Sequence, residues 1–152
     1  MEVRIINSTS DIIDCSGALI CAKTTNRFLL LQKAEGKHAG RWGLVGGTNH
    51  SDESAWQGLQ REIEEELGAM PDIKKTIPLE RFVSNDSMFN FHTYFCVVEN
   101  EFVPILSDEH SAWGWFNLDN LPKPVHKGLD LSLRNKTIHI KLQTVFDIIN
   151  LL

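Results

Sequence analysis

Between Gly46 and Gly68 the chain reads GGTNHSDESAWQGLQREIEEELG, and within it Ala55, Leu59, Ile63 and Leu67 place an apolar residue at every fourth position. That spacing is the stripe of a helix laid with one face against an apolar partner. Ser51 or Asp52 is the expected cap, Asp52 and Glu53 suit the positive end of the helix, and Gly68 followed by Pro71 ends it. The same helix carries Glu62, Glu65 and Glu66 at i, i+3 and i+4, so three carboxylates leave it on one side while Glu64 points elsewhere. Like charges at these spacings cost about 0.2–0.5 kcal/mol per pair in water, and more where water is excluded. A solvated acidic face is one reading of such a run, and a cation site is the other. The glycines Gly46 and Gly47, which lead into the helix, let a backbone carbonyl approach the carboxylates. An all-oxygen set of this kind suits Mg2+ or Mn2+, ions that keep several waters and share the phosphates of a substrate.

Around this helix lie six apolar runs rich in β-formers, at residues 17–22, 27–32, 42–45, 77–84, 89–98 and 112–116, each bounded by turn-type residues. A second helix is predicted from about Lys136 to Leu151, where Ile138, Leu142, Val145, Phe146, Ile149 and Leu152 keep a three/four spacing. A mixed sheet carrying at least two helices makes an α/β or α+β domain. With no repeat, low-complexity tract or linker in its 152 residues, the chain is expected to form one domain, 1–152. The start MEVRIINSTSDIID lacks a basic region followed by an apolar core, and no apolar run approaches the roughly 20 residues that span a bilayer. A cytoplasmic protein is therefore expected, without a membrane partner. A net charge of −5 disfavours binding of extended nucleic acid through a broad basic face. Cys15, Cys21 and Cys96 are odd in number and have no C-x-x-C spacing, which predicts buried, reduced thiols.

Read from Gly47, the acidic stretch has the spacing G-x5-E-x7-R-E-I-x-E-E-x-G, through Glu53, Arg61, Glu62, Ile63, Glu65 and Glu66 to Gly68. It resembles the signature box of the Nudix hydrolases, in which a further apolar residue follows the last glycine, and every charged and glycine position agrees. Ala69 fills that last apolar position, and Val45 stands where proline commonly precedes the two glycines; neither change removes a ligand. The lead-in GRWGLVGG and the later WFNLDNLP are also similar to this family. The resemblance implies a Nudix-type α/β/α sandwich, a mixed curved sheet flanked by helices. It also implies Mg2+-dependent hydrolysis, with Mn2+ as a substitute, of the diphosphate linkage in a nucleotide or in a nucleoside diphosphate joined to another group. By position, Glu62, Glu65 and Glu66 would be metal ligands, Gly46 a carbonyl donor, and Glu62 or Glu65 the acceptor of the attacking water's proton. Arg61, which stays charged, would orient a glutamate with Glu53 as its partner, and Gly47, Glu53 and Gly68 would support the shape of the box.

Many members of the family recruit one further acidic residue or histidine from a loop outside the box. SDEHSAWGWF offers Glu109 first and His110 second. In QKAEGKHAGRW the residues Lys33, Lys37, His38 and Arg41 crowd the approach to the glycines, with Lys33 and Arg41 the expected phosphate contacts and His110 a further substrate contact. Trp42, Phe82, Phe89 and Trp115 are candidates for base stacking, although strand aromatics more commonly pack in cores. His50, His92, His126 and His139 lack metal-ligand spacing and are expected to take no catalytic part.

Two alternative functions have different signatures. A nucleotide-sugar hydrolase attacking at the sugar carbon would lean on His110, but that subgroup usually alters the terminal glutamates of the box, which are complete here. A non-catalytic ligand sensor would tend to lose box glutamates altogether. Ser84 occupies the place where ADP-ribose hydrolases of the family often carry proline, and the only tyrosine, Tyr94, lies outside the usual place for a dinucleoside-polyphosphate hydrolase. Nucleoside triphosphates and nucleotide sugars are thus the leading small-molecule substrates, ahead of capped or triphosphorylated RNA ends. A homodimer is compatible with the sequence, in which no feature fixes the oligomeric state.

Overall fold

The runs ALICA at residues 18–22 and FLLL at 28–31 are apolar without alternation, a pattern that calls for burial on both faces of a sheet. The computed structural model, which describes residues 12–151, places them in the two strands at the middle of a seven-stranded mixed sheet. In chain order the elements are β1 (Ile13–Ala22), β2 (Arg27–Lys33), β3 (Trp42–Gly43), β4 (Val45–Thr48), α1 (Ala55–Leu67), β5 (Ile73–Val83), β6 (Phe89–Val98), β7 (His110–Phe116), α2 (Lys127–Arg134) and α3 (Lys136–Leu151). Strand β1 runs parallel to β6, from Ile13 opposite Phe89 to Ala22 opposite Val98, whereas the other pairings are antiparallel.

Strand β1 meets β2 only at its end, through Cys21 opposite Phe28 and Ala22 opposite Arg27. Toward its start the same edge is taken by β4, with Cys15 opposite Thr48 and Gly17 opposite Gly46. Strand β2 pairs with β3 at Leu31 and Gln32, and with β7 along its other edge. The sheet therefore opens between β1 and β2, and the short β3–β4 segment fills the opening. This curvature brings Gly46 and Gly47 beside α1.

Each face of the sheet has its own core. Ala18, Ile20 and Ala22 of β1 pack with Leu59, Ile63 and Leu67 of α1. Leu19 and Cys21 point the other way, to Ile138, Leu142, Val145 and Ile149 of α3. Phe28, Phe95 and Phe146 meet edge to face, with centroids 5.7–5.9 Å apart, a favourable arrangement of ring quadrupoles. The result is a curved, open mixed sheet between helices, the α/β/α arrangement expected from the sequence. Among the described residues no helix is long and apolar enough to cross a membrane.

Several local expectations need correction. The cap of α1 is Ser54, not Ser51 or Asp52: Ser54 and Gln57 form a reciprocal capping box, and the chain before it is held in a turn by Glu53 N–H donating to the carbonyl of His50. Asp52 and Glu53 consequently precede the helix, whose first turn has no acid. Gly68 does end α1, in the left-handed conformation at φ 83°. The glycines lie within a strand rather than a simple turn. Strand β5 begins at Ile73, earlier than the apolar pattern predicts, because Lys74 and Lys75 are exposed on an edge strand. Helix α2 is not anticipated: Leu129, Leu131 and Leu133 alternate like a strand, yet Leu129 is buried and Leu131 is 71% exposed. Cys21 and Cys96 are buried free thiols, as expected, but Cys15 is half-buried. Leu152 and the N-terminal residues 1–11 lie outside the described residues.

Gly58, in the middle of α1, has an unusual reason to be glycine. A Cβ there would lie 2.0 Å from Asn49 Oδ1 and 2.7 Å from its Cγ. Asn49 cannot easily yield, because its Nδ2 donates to Asp14 Oδ2 at 2.8 Å and to Ser16 Oγ at 2.9 Å. Gly58→Ala, which in an exposed helix would stabilise by about 1 kcal/mol, is expected here to destabilise by about 1–3 kcal/mol, measured by urea unfolding.

Candidate functional site

Arg61 is the hub of the acidic face of α1. Its Nε and Nη2 donate to the two carboxylate oxygens of Glu53 at 2.8 and 3.0 Å, a bidentate pair of the strong, charge-assisted kind. Nη2 also donates to the carbonyl of Thr48 at 3.0 Å, and Nη1 to Glu62 Oε1 at 3.0 Å and, more weakly, to Glu65 Oε2 at 3.3 Å. His50 N–H completes the shell of Glu53 at 2.8 Å. Together with Arg61, these contacts hold the Glu53 carboxyl well below the usual range, at about 2. One guanidinium thus joins the end of β4, the loop before α1 and two glutamates of the helix.

Two close approaches depend on the glycines. A Cβ on Gly47 would lie 2.6 Å from the Glu62 carboxyl carbon, and one on Gly46, at φ 154°, would lie 2.1 Å from the carbonyl oxygen of Ser16. Their absence of side chains lets Glu62 rest on the strand and β4 rest on β1. Glu66 is buried at 2% exposure, and its Oε1 accepts the N–H of Gly46 at 2.7 Å. Burial, reinforced by Glu62 and Glu109, pushes the Glu66 carboxyl up to about 8. Burial likewise raises Glu62, against the opposing pull of Arg61.

The other oxygen, Glu66 Oε2, is 3.7 Å from His110 Nδ1, too far for a hydrogen bond. The His110 side chain is only 6% exposed, and its Nδ1 has no hydrogen-bond partner among the described residues. Burial first, and Lys33 second, lower the pKa of this imidazole. Ligand atoms of Glu66, Glu109 and His110 all lie within 4.8 Å of one another. A buried Glu66 carboxyl held this close to the exposed Glu109 needs a cation or a proton to compensate it, so the donor set fits a divalent ion.

Glu66 and His110 form one end of a cleft of about 430 Å3. Lys33 stands beside the acidic end, paired in register with His110. Beyond it, His38, Arg41 and His126 line a basic wall, and Phe82, Phe91 and Leu131 contribute apolar surface. The rings of His38 and His126 lie 4.5 Å apart. Backbone pairing with Trp42 fixes the segment carrying His126, and Gly128 N–H donates to His126 Nδ1 at 3.1 Å. That bond leaves Nε2 to carry the proton of the neutral ring and to donate it.

Of the residues singled out from sequence, Glu66, Gly46, Gly47, Lys33, Arg41 and His110 line this cleft together. Gly46 touches Glu66 through its N–H rather than its carbonyl. Glu65 is on the same face but 58% exposed, and Glu64 is exposed. Arg41 also donates to the carbonyl of Val125 at 3.1 Å, bracing the basic wall. Trp115 is a core residue whose Nε1 donates to the carbonyl of Phe102 at 3.0 Å, and Trp42 packs against Phe116. Many cleft residues have no functional reading in the sequence, among them His126, Phe91 and Cys15. His126 was set aside for want of ligand spacing, although it lines the basic wall; Phe91 and Cys15 carried no signal, since only the pairing of β1 with β6 and β4 turns them toward the cleft.

The chain matches the model of the NUDIX domain over residues 15–135. It is 31% identical to a protein of Haemophilus influenzae named dihydroneopterin triphosphate diphosphatase, the match covering 64% of this chain and 69% of that protein. It is 33% identical to Nudix hydrolase 7 of Arabidopsis thaliana over 51% of this chain, but only 30% of that longer protein. Among solved structures, a MutT NUDIX hydrolase from Burkholderia pseudomallei superposes with a TM-score of 0.62 at 29% identity, covering 80% of this chain and 95% of the other.

The raised carboxyl of Glu66 has a thermodynamic consequence with a defined sign. A group bound to its proton more tightly when folded stabilises the fold fully below its ordinary pKa of 4.5, and this contribution is lost as pH rises toward about 8. The melting temperature of metal-free protein, relative to Glu66→Gln, is therefore expected to fall across that interval. Calorimetry at a series of pH values checks it, and adding a divalent cation at the upper end is expected to restore the wild type selectively.

Proposed function

This chain belongs to the NUDIX family and is a hydrolase of phosphorus-containing acid anhydrides, and we propose that it splits a diphosphate linkage of a nucleotide or nucleoside diphosphate derivative by attack of water at phosphorus, with Mg2+ or Mn2+ as cofactor. The observation that carries this reading is the polarity of the cleft beside α1. Carboxylates of Glu62 and Glu66 are pressed against Gly46 and Gly47 at one end, and Lys33, Arg41 and His126 line the adjoining wall.

Glu62, Glu65 and Glu66, with the backbone at Gly46, would hold the ion. When bound, the divalent ion neutralises the pyrophosphate oxygens and makes water a better nucleophile. Arg61 keeps Glu62 and Glu65 in register from the α1 side, with Glu53 anchoring the guanidinium and Gly68 fixing the end of the helix. Glu62, resting against Gly47 on the face that would hold the ion, is positioned to take the proton of the attacking water. Glu109 adds negative charge at the loop side of the same cluster.

Lys33 holds the phosphate next to the reacting centre, and Arg41, His110 and His126 direct donors or positive charge toward the rest of the anion. Phe82 and Phe91 offer flat apolar surface to a heterocycle. A small triphosphate of a nucleoside or pterin suits this arrangement, and the name of the Haemophilus influenzae relative places dihydroneopterin triphosphate in the substrate panel.

Purified protein with Mg2+ and about twenty nucleotide and pterin substrates is expected to release a monophosphate and a phosphorylated second product. Labelled water should enter a phosphate; label on a sugar carbon would overturn attack at phosphorus. Glu66→Gln and Glu65→Gln are expected to lower kcat by about a thousandfold or more. Lys33→Ala and His126→Ala are expected to raise KM about tenfold with a smaller change in kcat. Tight substrate binding without turnover in either Mg2+ or Mn2+ would sink the hydrolase reading.

A further inference from the structure

We propose that His110 is itself a ligand of the divalent ion, through Nδ1, and that this nitrogen makes the site favour a transition ion such as Mn2+ over Mg2+. The inference rests on reading the acidic face of α1 as a cation site, but its test requires no turnover. Its starting point is a buried nitrogen with no hydrogen-bond partner among the described residues, in a side chain only 6% exposed. An unsatisfied buried imidazole nitrogen costs about 1–3 kcal/mol, so a position that keeps one invites a missing partner.

The surroundings define that partner. Glu66 Oε2 lies 3.7 Å from Nδ1, and a Glu109 oxygen lies within 4.8 Å of both. Two atoms each about 2.0–2.3 Å from one ion stand roughly 3–4 Å apart. The spacing is therefore that of ligands around a shared cation, and it is too long for a hydrogen bond. The remaining Glu66 oxygen is occupied by Gly46 N–H at 2.7 Å, which fixes Oε2 toward His110. Lys33, opposite His110 in the β2–β7 register, opposes a cation electrostatically; Glu62, Glu66 and Glu109 outweigh it.

The chemical consequence follows from donor type. Carboxylate and carbonyl oxygens suit Mg2+, whereas imidazole adds affinity chiefly for first-row transition ions. In a box made of glutamates alone, Mg2+ and Mn2+ compete on charge and size. With His110 in the shell the balance tilts to Mn2+.

Mn2+ added to substrate-free protein can be followed by pulsed EPR, in which a directly bound nitrogen leaves a characteristic modulation. Wild type is expected to show it, His110→Gln to lose it, and His126→Gln to retain it. Competition titration should show the Mn2+:Mg2+ affinity ratio falling about tenfold or more in His110→Gln. Bound Mn2+ without nitrogen modulation in the wild type overturns the proposal, as does modulation that survives His110→Gln or Mn2+ affinity weaker than millimolar. If His110→Gln fails to fold, wild type with bound Mn2+ and no nitrogen modulation still overturns the proposal. If nitrogen is absent while Glu66→Gln still abolishes hydrolysis, the ligand assignment fails and the hydrolase reading stands; if nitrogen is present in a protein that hydrolyses nothing, the reverse holds.

Discussion

The bidentate pair between Arg61 and Glu53 is the contact on which the site's geometry turns. Three carboxylates on one helical face repel one another, and a solvated helix would relieve that by letting its side chains swing apart. Arg61 prevents this by donating hydrogen bonds to Glu53 in the loop before the helix, to the carbonyl of Thr48, and to Glu62 and Glu65 at once. Because one side chain bridges β4 and α1, the distance between the glycine strand and the glutamates is fixed without a bound ligand. A lysine would supply the charge but not the fork that satisfies Glu53 and Thr48 together.

Backbone shape does the complementary work. Gly46 and Gly47 remove the Cβ atoms that would hold β4 off both β1 and Glu62, and the opening of the sheet between β1 and β2 gives β4 its place. Val45, where proline is common in the family, is a core residue opposite Ala18. The turn is thus secured here by burial and strand pairing. Glu66 then enters a site dry enough to raise its carboxyl, satisfied on one oxygen by Gly46 and open to a cation on the other. The cleft changes sign over a short distance, from that acidic end past Lys33 to His38, Arg41 and His126, as a site for a metal-bound polyanion requires.

Much of this was legible in the order of residues. The four-residue stripe of α1, its stop at Gly68 and the facing of Glu62, Glu65 and Glu66 depend on helical period, which a local pattern fixes. The apolar runs of β1 and β2 likewise announce strands buried on both sides. The sequence points to Ser51 or Asp52 rather than Ser54 as the cap because residues of these types cap equally well, and the choice is made by Glu53 turning toward Arg61, eight positions later. Helix α2 was missed because alternate leucines suit a strand, whereas its burial is decided by the neighbouring α3 and sheet.

The amino-acid order determined by itself which glutamates share a side, which arginine accompanies them and which glycines precede them, since all of these lie within one helical segment and its lead-in. Only the tertiary structure decided that His126, Phe91 and Cys15 join the cleft, that Glu66 is dry while Glu65 is wet, and that His110 Nδ1 is left facing a carboxylate without a partner. Those outcomes depend on strand register and on depth below the surface. Both are set by contacts between segments tens of residues apart, for which no local spacing exists to read.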